Sequence, residues 1–200
     1  MQKRFSPRAL LLAAALGTIL TLPARAALPE GSAAPGFSAP AALAGKTFQF
    51  TLKDALKRGP VVVYFYPSAY TGGCNIQAHS FSVNADKFAA AGASVIGVSL
   101  DSIERLKDFS ADPDYCAGKL AVASDADGSI ARAFELNIRE AQAGKKDTRG
   151  AEITHGFAER STFIVTPDGR IAATISGVAP AENVAQALDV VQTLASVAKP

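Results

Sequence analysis

The sequence predicts a three-layer α/β sandwich, with helices on both faces of one mixed sheet. Residues 61–66 form a continuous β-branched and aromatic run, which is typical of a strand buried on both faces, and residues 94–100, Ser-Val-Ile-Gly-Val-Ser-Leu, predict a second buried strand. Segments with helical spacing alternate with these strands, as expected for a sheet covered by helices. A strand, a turn at Pro167-Asp168-Gly169 and a second strand follow, so the sheet should be mixed rather than wholly parallel.

The other elements follow in order along the chain. Residues 28–44 are rich in Pro, Gly, Ser and Ala, and are expected to be an irregular lead-in. Further strands are predicted at residues 48–52, 120–123, 162–165 and 171–175. Helices are predicted at residues 76–91, from a cap at Asp101 or Ser102 through Phe109, at 129–136 and at 182–197. Residues 141–150 should form a polar surface loop, and residues 27–200 should form one domain.

The first 26 residues differ from the rest of the chain. Lys3, Arg4 and Arg8 precede an apolar run at residues 9–22, and residues 24–26 read Ala-Arg-Ala. This arrangement predicts a cleaved secretory signal. An uncleaved anchor is the alternative, but the apolar run is shorter than the about 20 residues of a membrane span. The mature chain is therefore expected to be exported, with the bacterial periplasm as its location and no stable membrane association.

The charge balance gives no sign of a nucleic-acid partner. The chain has 20 Lys and Arg against 18 Asp and Glu, and four of the basic residues lie in positions 1–26. The remaining chain is therefore slightly acidic, and it lacks the basic cluster that nucleic-acid binding requires. Two cysteines are too few for a four-ligand metal site, and neither His79 nor His155 belongs to a metal motif.

Residues 67–74, Pro-Ser-Ala-Tyr-Thr-Gly-Gly-Cys, carry the clearest chemical signal. They lead from the carboxyl end of a predicted buried strand into a helix, where ligand sites form in open α/β sheets. Unpaired N–H groups and the helix dipole there favour the thiolate of Cys74, its reactive form. The Thr71 hydroxyl is placed to hydrogen-bond the thiolate or a bound oxygen, and Pro67 to shield the sulfur from water. An inert buried thiol, or half of a static disulfide, is the alternative for Cys74.

These residues resemble a known family. Pro67, Thr71 and Cys74 match the peroxiredoxin pattern Pro-x-x-x-Thr/Ser-x-x-Cys without a gap. Residues 160–165, Arg-Ser-Thr-Phe-Ile-Val, followed by Pro-Asp-Gly, look like that family's Arg-bearing strand and hairpin, and residues 31–37 look like its entry segment. The likeness is greatest to the bacterioferritin-comigratory or Q-type subgroup. It implies a thioredoxin-like fold and a thiol peroxidase that needs no metal, haem or flavin.

The resemblance also implies a mechanism. The Cys74 thiolate would attack the distal oxygen of a hydroperoxide, hydrogen peroxide or an organic one, and become a sulfenic acid. Arg160 would hold the thiolate and the developing charge on oxygen. The alternative for Arg160 is a surface ion pair with Glu159 or Asp101.

Two departures from the subgroup concern the helix after Cys74. Gln77 stands where relatives usually have Glu, and His79 stands where many carry their resolving cysteine. Cys116 is therefore the candidate resolving residue. It would form an intramolecular disulfide that an exported thioredoxin-like or other thiol reductant reopens. A structural partner of Cys74 and an unpaired thiol are the alternatives for Cys116.

Two other functional classes remain as alternatives. A thioredoxin-like disulfide oxidoreductase is disfavoured because no Cys-x-x-Cys surrounds Cys74. A redox-inert thioredoxin-fold binding or chaperone module would require Cys74 to be dispensable. A copper-delivery module is disfavoured because no second cysteine lies four residues after Cys74.

Overall fold

A computed structural model describes residues 27–197, so the predicted signal at residues 1–26 lies outside the described residues. The strands are β1 Ser38–Leu43, β2 Lys46–Thr51, β3 Val61–Phe65, β4 Ser94–Ser99, β5 Ala121–Ser124, β6 Ile138–Arg139, β7 Phe157–Ala158, β8 Ser161–Val165 and β9 Ile171–Ser176. The helices are α1 Leu52–Leu56, α2 Gly72–Val83, α3 Ala85–Ala90, α4 Ile103–Ala111, α5 Ser129–Ala133 and α6 Pro180–Val197. Among residues 27–197, no helix has both the length and the apolar character needed to cross a bilayer.

The seven-stranded sheet has the order β2-β1-β5-β4-β3-β8-β9. Strand β4 pairs in parallel with both β3 and β5, and the other pairs are antiparallel. Strands β6 and β7 form a separate two-stranded ribbon. The predicted mixed sheet is confirmed.

Strand β3 lies inside the sheet and separates two hydrophobic cores. Val62, Tyr64 and Tyr66 face the core that α2, α3, α4 and α6 cover. Val61, Val63 and Phe65 face the opposite core, beneath α1 and α5. Because side chains alternate along a strand, burial on both faces requires the continuous apolar run that predicted this element.

Strand β1 corrects the prediction for residues 28–44. Its sequence, Ser-Ala-Pro-Ala-Ala-Leu, has no β-branched residue and was expected to be irregular. The strand nevertheless pairs with both β2 and β5, and its Ala41 lies opposite Ala123. Helix α4 contacts β1, and Ala39, Ala41 and Ala42 are buried. Tertiary packing over small side chains therefore determines this strand, rather than local propensity.

The helix predicted at residues 76–91 is two helices. Helix α2 starts at Gly72, and Asn84 separates it from α3. The Asn84 side chain donates to the Ser80 carbonyl at 2.9 Å, a side-chain bond that competes with continued helix. Ser102 caps helix α4, one of the two predicted caps, and its hydroxyl accepts from the Arg105 N–H at 3.3 Å.

Candidate active site

One edge of the sheet brings the candidate residues together. In the antiparallel pair of β3 and β8, Phe65 lies opposite Ser161. Arg160, which immediately precedes β8, therefore lies beside the turn that leads from β3 to Cys74. In the parallel pair of β3 and β4, Phe65 lies opposite Val98, so Asp101 follows β4 at the same edge.

Cys74 is in the first turn of α2, as predicted. Thr71 precedes the helix with extended backbone, and its carbonyl accepts from the Asn75 N–H at 2.8 Å. Cys74 is 2% exposed. The Arg160 guanidinium donates from Nη2 to Cys74 Sγ at 3.3 Å. A guanidinium at that distance can donate hydrogen bonds to the sulfur and to an oxygen bound to it.

Gly73 allows this close approach. A Cβ at Gly73 would lie 3.1 Å from Arg160 Nη2 and 3.3 Å from Pro180 Cγ. Both distances are tighter than ordinary van der Waals contact, so a side chain here would displace the guanidinium or the start of α6. The glycine is needed for space beside the arginine.

A chain of amide groups orients the guanidinium. Arg160 Nη1 donates to Gln77 Oε1, and Gln77 Nε2 donates to Asn183 Oδ1 at 2.9 Å. Asn183 Oδ1 also accepts from the Thr162 hydroxyl at 2.6 Å, and its Nδ2 donates to the Ile175 carbonyl at 3.1 Å. Gln77 and Asn183 are both buried. Gln77, where the subgroup usually has Glu, therefore still joins α2 to Arg160.

Thr71 differs from the expectation. Its hydroxyl donates to the Ser68 carbonyl at 2.8 Å and makes no cap hydrogen bond. A hydroxyl has one proton, so Thr71 cannot donate to the Cys74 sulfur at the same time. Its hydrogen bond instead closes the turn at residues 67–71, called the catalytic turn below. Pro67 is half-buried and lines a cavity of about 640 Å³, together with Arg160, Arg139 and Glu159. This cavity gives an approach to the arginine that contacts Cys74.

A buried ionic network, which sequence reasoning missed, anchors the same turn. Asp101 is fully buried. Its carboxylate accepts from Ser99 Oγ at 2.7 Å, Ala69 N at 2.8 Å, Arg105 Nε at 2.8 Å, Ser68 Oγ at 2.9 Å and His155 Nε2 at 2.9 Å. Burial raises the pKa of Asp101, but His155 and the other donors outweigh it, and the net direction is downward. A carboxylate thus fixes residues 68 and 69, just before Thr71.

His155 is held between two acceptors. Its Nε2 faces Asp101 Oδ1, and its Nδ1 faces the Gly156 carbonyl at 2.8 Å. Two acceptors call for two N–H groups, which only the protonated imidazole has. Burial lowers the pKa of His155, but the Asp101 hydrogen bond and charge raise it more, so the pKa lies above its usual value. The sequence predicts a solvated or a structural role for His155, and its contacts are those of a structural residue.

The predicted surface loop at residues 141–150 also supports the turn. Most of it is exposed, but Asp147 is buried and accepts from Arg105 Nη2 at 2.8 Å. The Tyr70 carbonyl accepts from Thr148 N at 2.8 Å and Thr148 Oγ1 at 2.9 Å. The Arg149 guanidinium lies 3.2 Å from the centre of the Tyr70 ring. Tyr70 itself has φ 58°, a strained value that these contacts maintain.

Cys116 lies in the turn after α4 and is also a free thiol. Its side chain is fully buried in the core that contains Cys74. Burial raises the pKa of the Cys116 thiol well above its usual value, and the Asp112 charge raises it further. Ala117 and Gly118, the next two residues, have φ 52° and 67°. The structure therefore places Cys116 in the shared core but in a different element from Cys74.

This arrangement defines a class of protein. Peroxiredoxins combine a thioredoxin-like mixed sheet, a cysteine in the first turn of the helix after β3, and an arginine just before β8 that donates to the cysteine sulfur. The AhpC/TSA family matches residues 31–174, and the chain belongs to that family. It is accordingly a peroxiredoxin enzyme, an oxidoreductase with thiol peroxidase activity.

Individual relatives agree with the subgroup that the sequence indicated. Peroxiredoxin Bcp of Xanthomonas campestris pv. campestris is 34% identical over 135 residues, which cover 68% of this chain and 76% of that protein. The structure of Peroxidoxin BcpB from Mycobacterium tuberculosis has a TM-score of 0.69 and 25% identity, covering 84% of this chain and 98% of that one.

A third relative has been studied for its reaction with peroxides. The bacterioferritin comigratory protein of Xanthomonas campestris, solved in trapped intermediate/ligand complexes to study its alkyl peroxide reduction activity, has a TM-score of 0.61 and 31% identity. The match covers 78% of this chain and 91% of that one.

Proposed function

We propose that this peroxiredoxin reduces hydroperoxides in a two-thiol cycle, with Cys74 as the attacking residue and Cys116 as the resolving residue. One observation carries the proposal: the Arg160 guanidinium lies 3.3 Å from a cysteine sulfur in the first turn of a helix. The alkyl peroxide reduction activity of the related Xanthomonas campestris protein supports organic hydroperoxides as substrates, and we propose hydrogen peroxide beside them.

The first step oxidises Cys74. Its thiolate attacks the distal oxygen of the hydroperoxide, the O–O bond breaks, and the other oxygen leaves as water or alcohol after taking a proton. Cys74 becomes a sulfenic acid. Arg160 serves this step because its donors face the sulfur and the oxygen on which negative charge develops. The amide chain through Gln77 and Asn183 keeps those donors in place.

The second step joins the two cysteines. The Cys116 sulfur attacks the Cys74 sulfenic acid, an S–S bond forms, and the oxygen leaves as water with the Cys116 proton. A thioredoxin-like or other dithiol reductant then reopens the disulfide and becomes oxidised itself. Because Cys116 is buried, its turn must open first. That local opening would break backbone bonds such as Ala117 N to Asp112 O at 2.8 Å, Gly118 N to Ser110 O at 3.0 Å and Lys119 N to Cys116 O at 2.9 Å.

Thiol counting tests this function. After one equivalent of hydrogen peroxide, the wild-type protein should lose two free thiols. The Cys116→Ser variant should lose one and over-oxidise under excess peroxide, and the Cys74→Ser variant should lose none. A redox-inert binding module would lose none in any form. Equal loss in Cys74→Ser and wild type would refute Cys74 as the attacking residue. Undiminished turnover of Cys116→Ser with the same reductant would show that one cysteine suffices.

We also propose that the protein acts after export, with residues 1–26 removed. The basic flank, apolar run and Ala-Arg-Ala sequence support this. The reductant would then be an exported thiol protein in the periplasm. Protein purified from its native host should begin at or near Ala27. A soluble cytosolic form that retains Met1 would contradict the proposal.

A further inference from the structure

A side-chain hydrogen bond joins the turn that carries Cys116 to the helix that carries Cys74. Residues 112–119 form this turn, between α4 and β5, and are called the Cys116 turn below. His79 Nδ1, on α2, lies 3.1 Å from the Asp114 carbonyl oxygen in that turn. Because a carbonyl oxygen can only accept, Nδ1 carries the proton and donates it. His79 is exposed, so water can replace this bond when the turn moves.

The position of His79 on α2 decides where the Cys116 turn is attached. His79 follows Cys74 by five residues, so it lies about 7.5 Å further along the helix and about 140° around it. Cys74 is buried in the first turn of α2, whereas His79 is exposed in the second half of that helix. The hydrogen bond therefore attaches the Cys116 turn to a part of α2 away from Cys74. Both cysteines are free thiols in this arrangement.

Tyr115, the residue before Cys116, packs the same turn against the catalytic turn. Its ring is edge-on to Tyr70, with 5.7 Å between centroids, and stacks on Phe109 at 5.5 Å. Tyr70 and Phe109 are buried in the core, so removing these aromatic contacts would disturb the reduced fold. The His79 hydrogen bond lies at the surface, and it can be removed without leaving a cavity.

We propose that the hydrogen bond from His79 to the Asp114 carbonyl restrains the Cys116 turn and so sets how fast Cys116 resolves the Cys74 sulfenic acid, a role that rests on the proposed two-thiol cycle. His79 and Cys74 lie on one helix, so a movement of the turn toward Cys74 breaks this bond. In the resolving step the Cys116 sulfur attacks the sulfenic acid, the S–S bond forms, and the S–O bond breaks to release water with the Cys116 proton. His79 acts on the turn and not on these atoms, so it is a positioning residue.

The restraint also affects over-oxidation of Cys74. While the turn is closed, a second hydroperoxide can transfer one oxygen to the sulfenic acid and leave as water or alcohol, which yields a sulfinic acid. This reaction and the attack by Cys116 compete for the same sulfenic acid. A tighter restraint therefore makes the protein more sensitive to excess peroxide, and a looser one protects it.

Two substitutions separate the hydrogen bond from the bulk of the side chain. His79→Phe keeps an aromatic ring but has no donor. His79→Asn keeps an N–H group, because its amide nitrogen and the imidazole Nδ1 are both two bonds from Cβ. His, Phe and Asn have similar helix propensities, so α2 itself should be equally stable in all three proteins. The asparagine variant is therefore the matched control.

The first measurement is the alkylation rate of Cys116 in the reduced protein, in a Cys74→Ser background that leaves a single thiol. His79→Phe should raise this rate about fivefold, as expected when local opening no longer breaks one neutral hydrogen bond. His79→Asn should leave it unchanged. This measurement does not depend on the two-thiol cycle. Equal rates with histidine and phenylalanine at this position would overturn the restraint, and so would equal acceleration by both substitutions.

The second measurement is rapid-quench mass spectrometry after one equivalent of hydrogen peroxide, with Cys74 present. Cys74 should be oxidised at the wild-type rate in both variants. The Cys74–Cys116 disulfide should form about fivefold faster in His79→Phe alone, and that variant should accumulate less sulfinic acid under excess peroxide. An unchanged or slower disulfide step would overturn the role of His79 and leave the cycle standing. If wild type forms no such disulfide, the cycle and this role are both wrong, whatever the alkylation rates show.

Discussion

The two cysteines of this peroxiredoxin share one hydrophobic core but have opposite surroundings. Cys74 lies at a polar sheet edge, with the Arg160 guanidinium on its sulfur and the Asp101 network behind its turn. Cys116 lies beyond α4 in a turn beside stacked aromatic rings, with Phe109 and Tyr115 at 5.5 Å. Burial and the nearby Asp112 charge raise the pKa of the Cys116 thiol.

Because of this difference, the groups around Cys74 are already positioned for reaction, whereas the Cys116 thiol is covered. The Cys74 site is assembled in the reduced fold, because its arginine, its helix terminus and its anchored turn are already in place. Cys116 is buried and its pKa is raised, so in the proposed cycle it reacts only when its segment moves. This contrast supports the order of the proposed cycle, in which Cys74 is oxidised before Cys116 attacks.

The largest effect is expected at Arg160. Arg160→Met removes the donors on the Cys74 sulfur, and peroxide reduction should slow by about 100-fold or more. Stopped-flow measurement of peroxide consumption at one equivalent gives the rate. Arg139→Met is the control, because Arg139 lines the same cavity but is exposed and belongs to the β6–β7 ribbon. Comparable losses in the two variants would show that the general positive charge of the cavity matters, rather than the contact with sulfur.

The next effect concerns the anchor of the catalytic turn. Asp101→Asn removes the charge that Arg105 and His155 face, and should lower the free energy of unfolding by about 3 kcal/mol. Urea denaturation of the reduced protein measures this. Asp54→Asn is the control, since Asp54 pairs with Lys57 at 2.6 Å but both side chains are mostly exposed. It should have no measurable effect. A similar loss of stability for both substitutions would mean that the buried ion pairs of Asp101 contribute no more than the exposed pair of Asp54.

His155 should make stability depend on pH. Its folded pKa is raised above the usual 6.5, so its stabilising effect is complete below that value and is lost as pH rises through the folded pKa. Wild type should therefore lose stability between mildly acidic and mildly alkaline pH, relative to His155→Gln. Urea midpoints across that range check this. Parallel curves for the two proteins would show that His155 carries no proton-linked stabilisation.

The smallest effect is expected at Gly73. Gly73→Ala places a methyl group against the guanidinium, and a shift of a few tenths of an ångström should slow peroxide reduction by about threefold. Gly72→Ala is the matched control, because a Cβ there has nothing within 4 Å. Under identical conditions, Gly73→Ala should reduce peroxide more slowly than Gly72→Ala. Equal rates would mean that Arg160 relaxes without loss of function.

Local sequence signals predicted the Cys74 side of the molecule well. The buried run of β3, the turn with its two glycines and the start of α2 are contiguous, so propensity and turn chemistry determine them together. Arg160 is 86 residues away, and only the family resemblance indicated it. The antiparallel register of β3 and β8 explains why it arrives at Cys74.

The supporting network could not be read from the sequence. Asp101 and His155 are 54 residues apart, and Gln77 and Asn183 are 106 apart. Neither pair has a spacing that sequence periodicity detects, because each depends on the order of strands and helices in the finished fold. Strand β1 was missed for a related reason, since its alanines and proline have low strand propensity and only tertiary packing places them in the sheet.

The most direct test of the account is a time course of both oxidation steps in dilute urea, below the unfolding transition. After one equivalent of hydrogen peroxide, rapid-quench mass spectrometry follows Cys74 sulfenic acid and the Cys74–Cys116 disulfide separately. The account predicts that urea leaves the first step unchanged and accelerates the second, because only Cys116 must be uncovered by local opening. A disulfide step that is independent of urea, or a first step that urea accelerates equally, would contradict it.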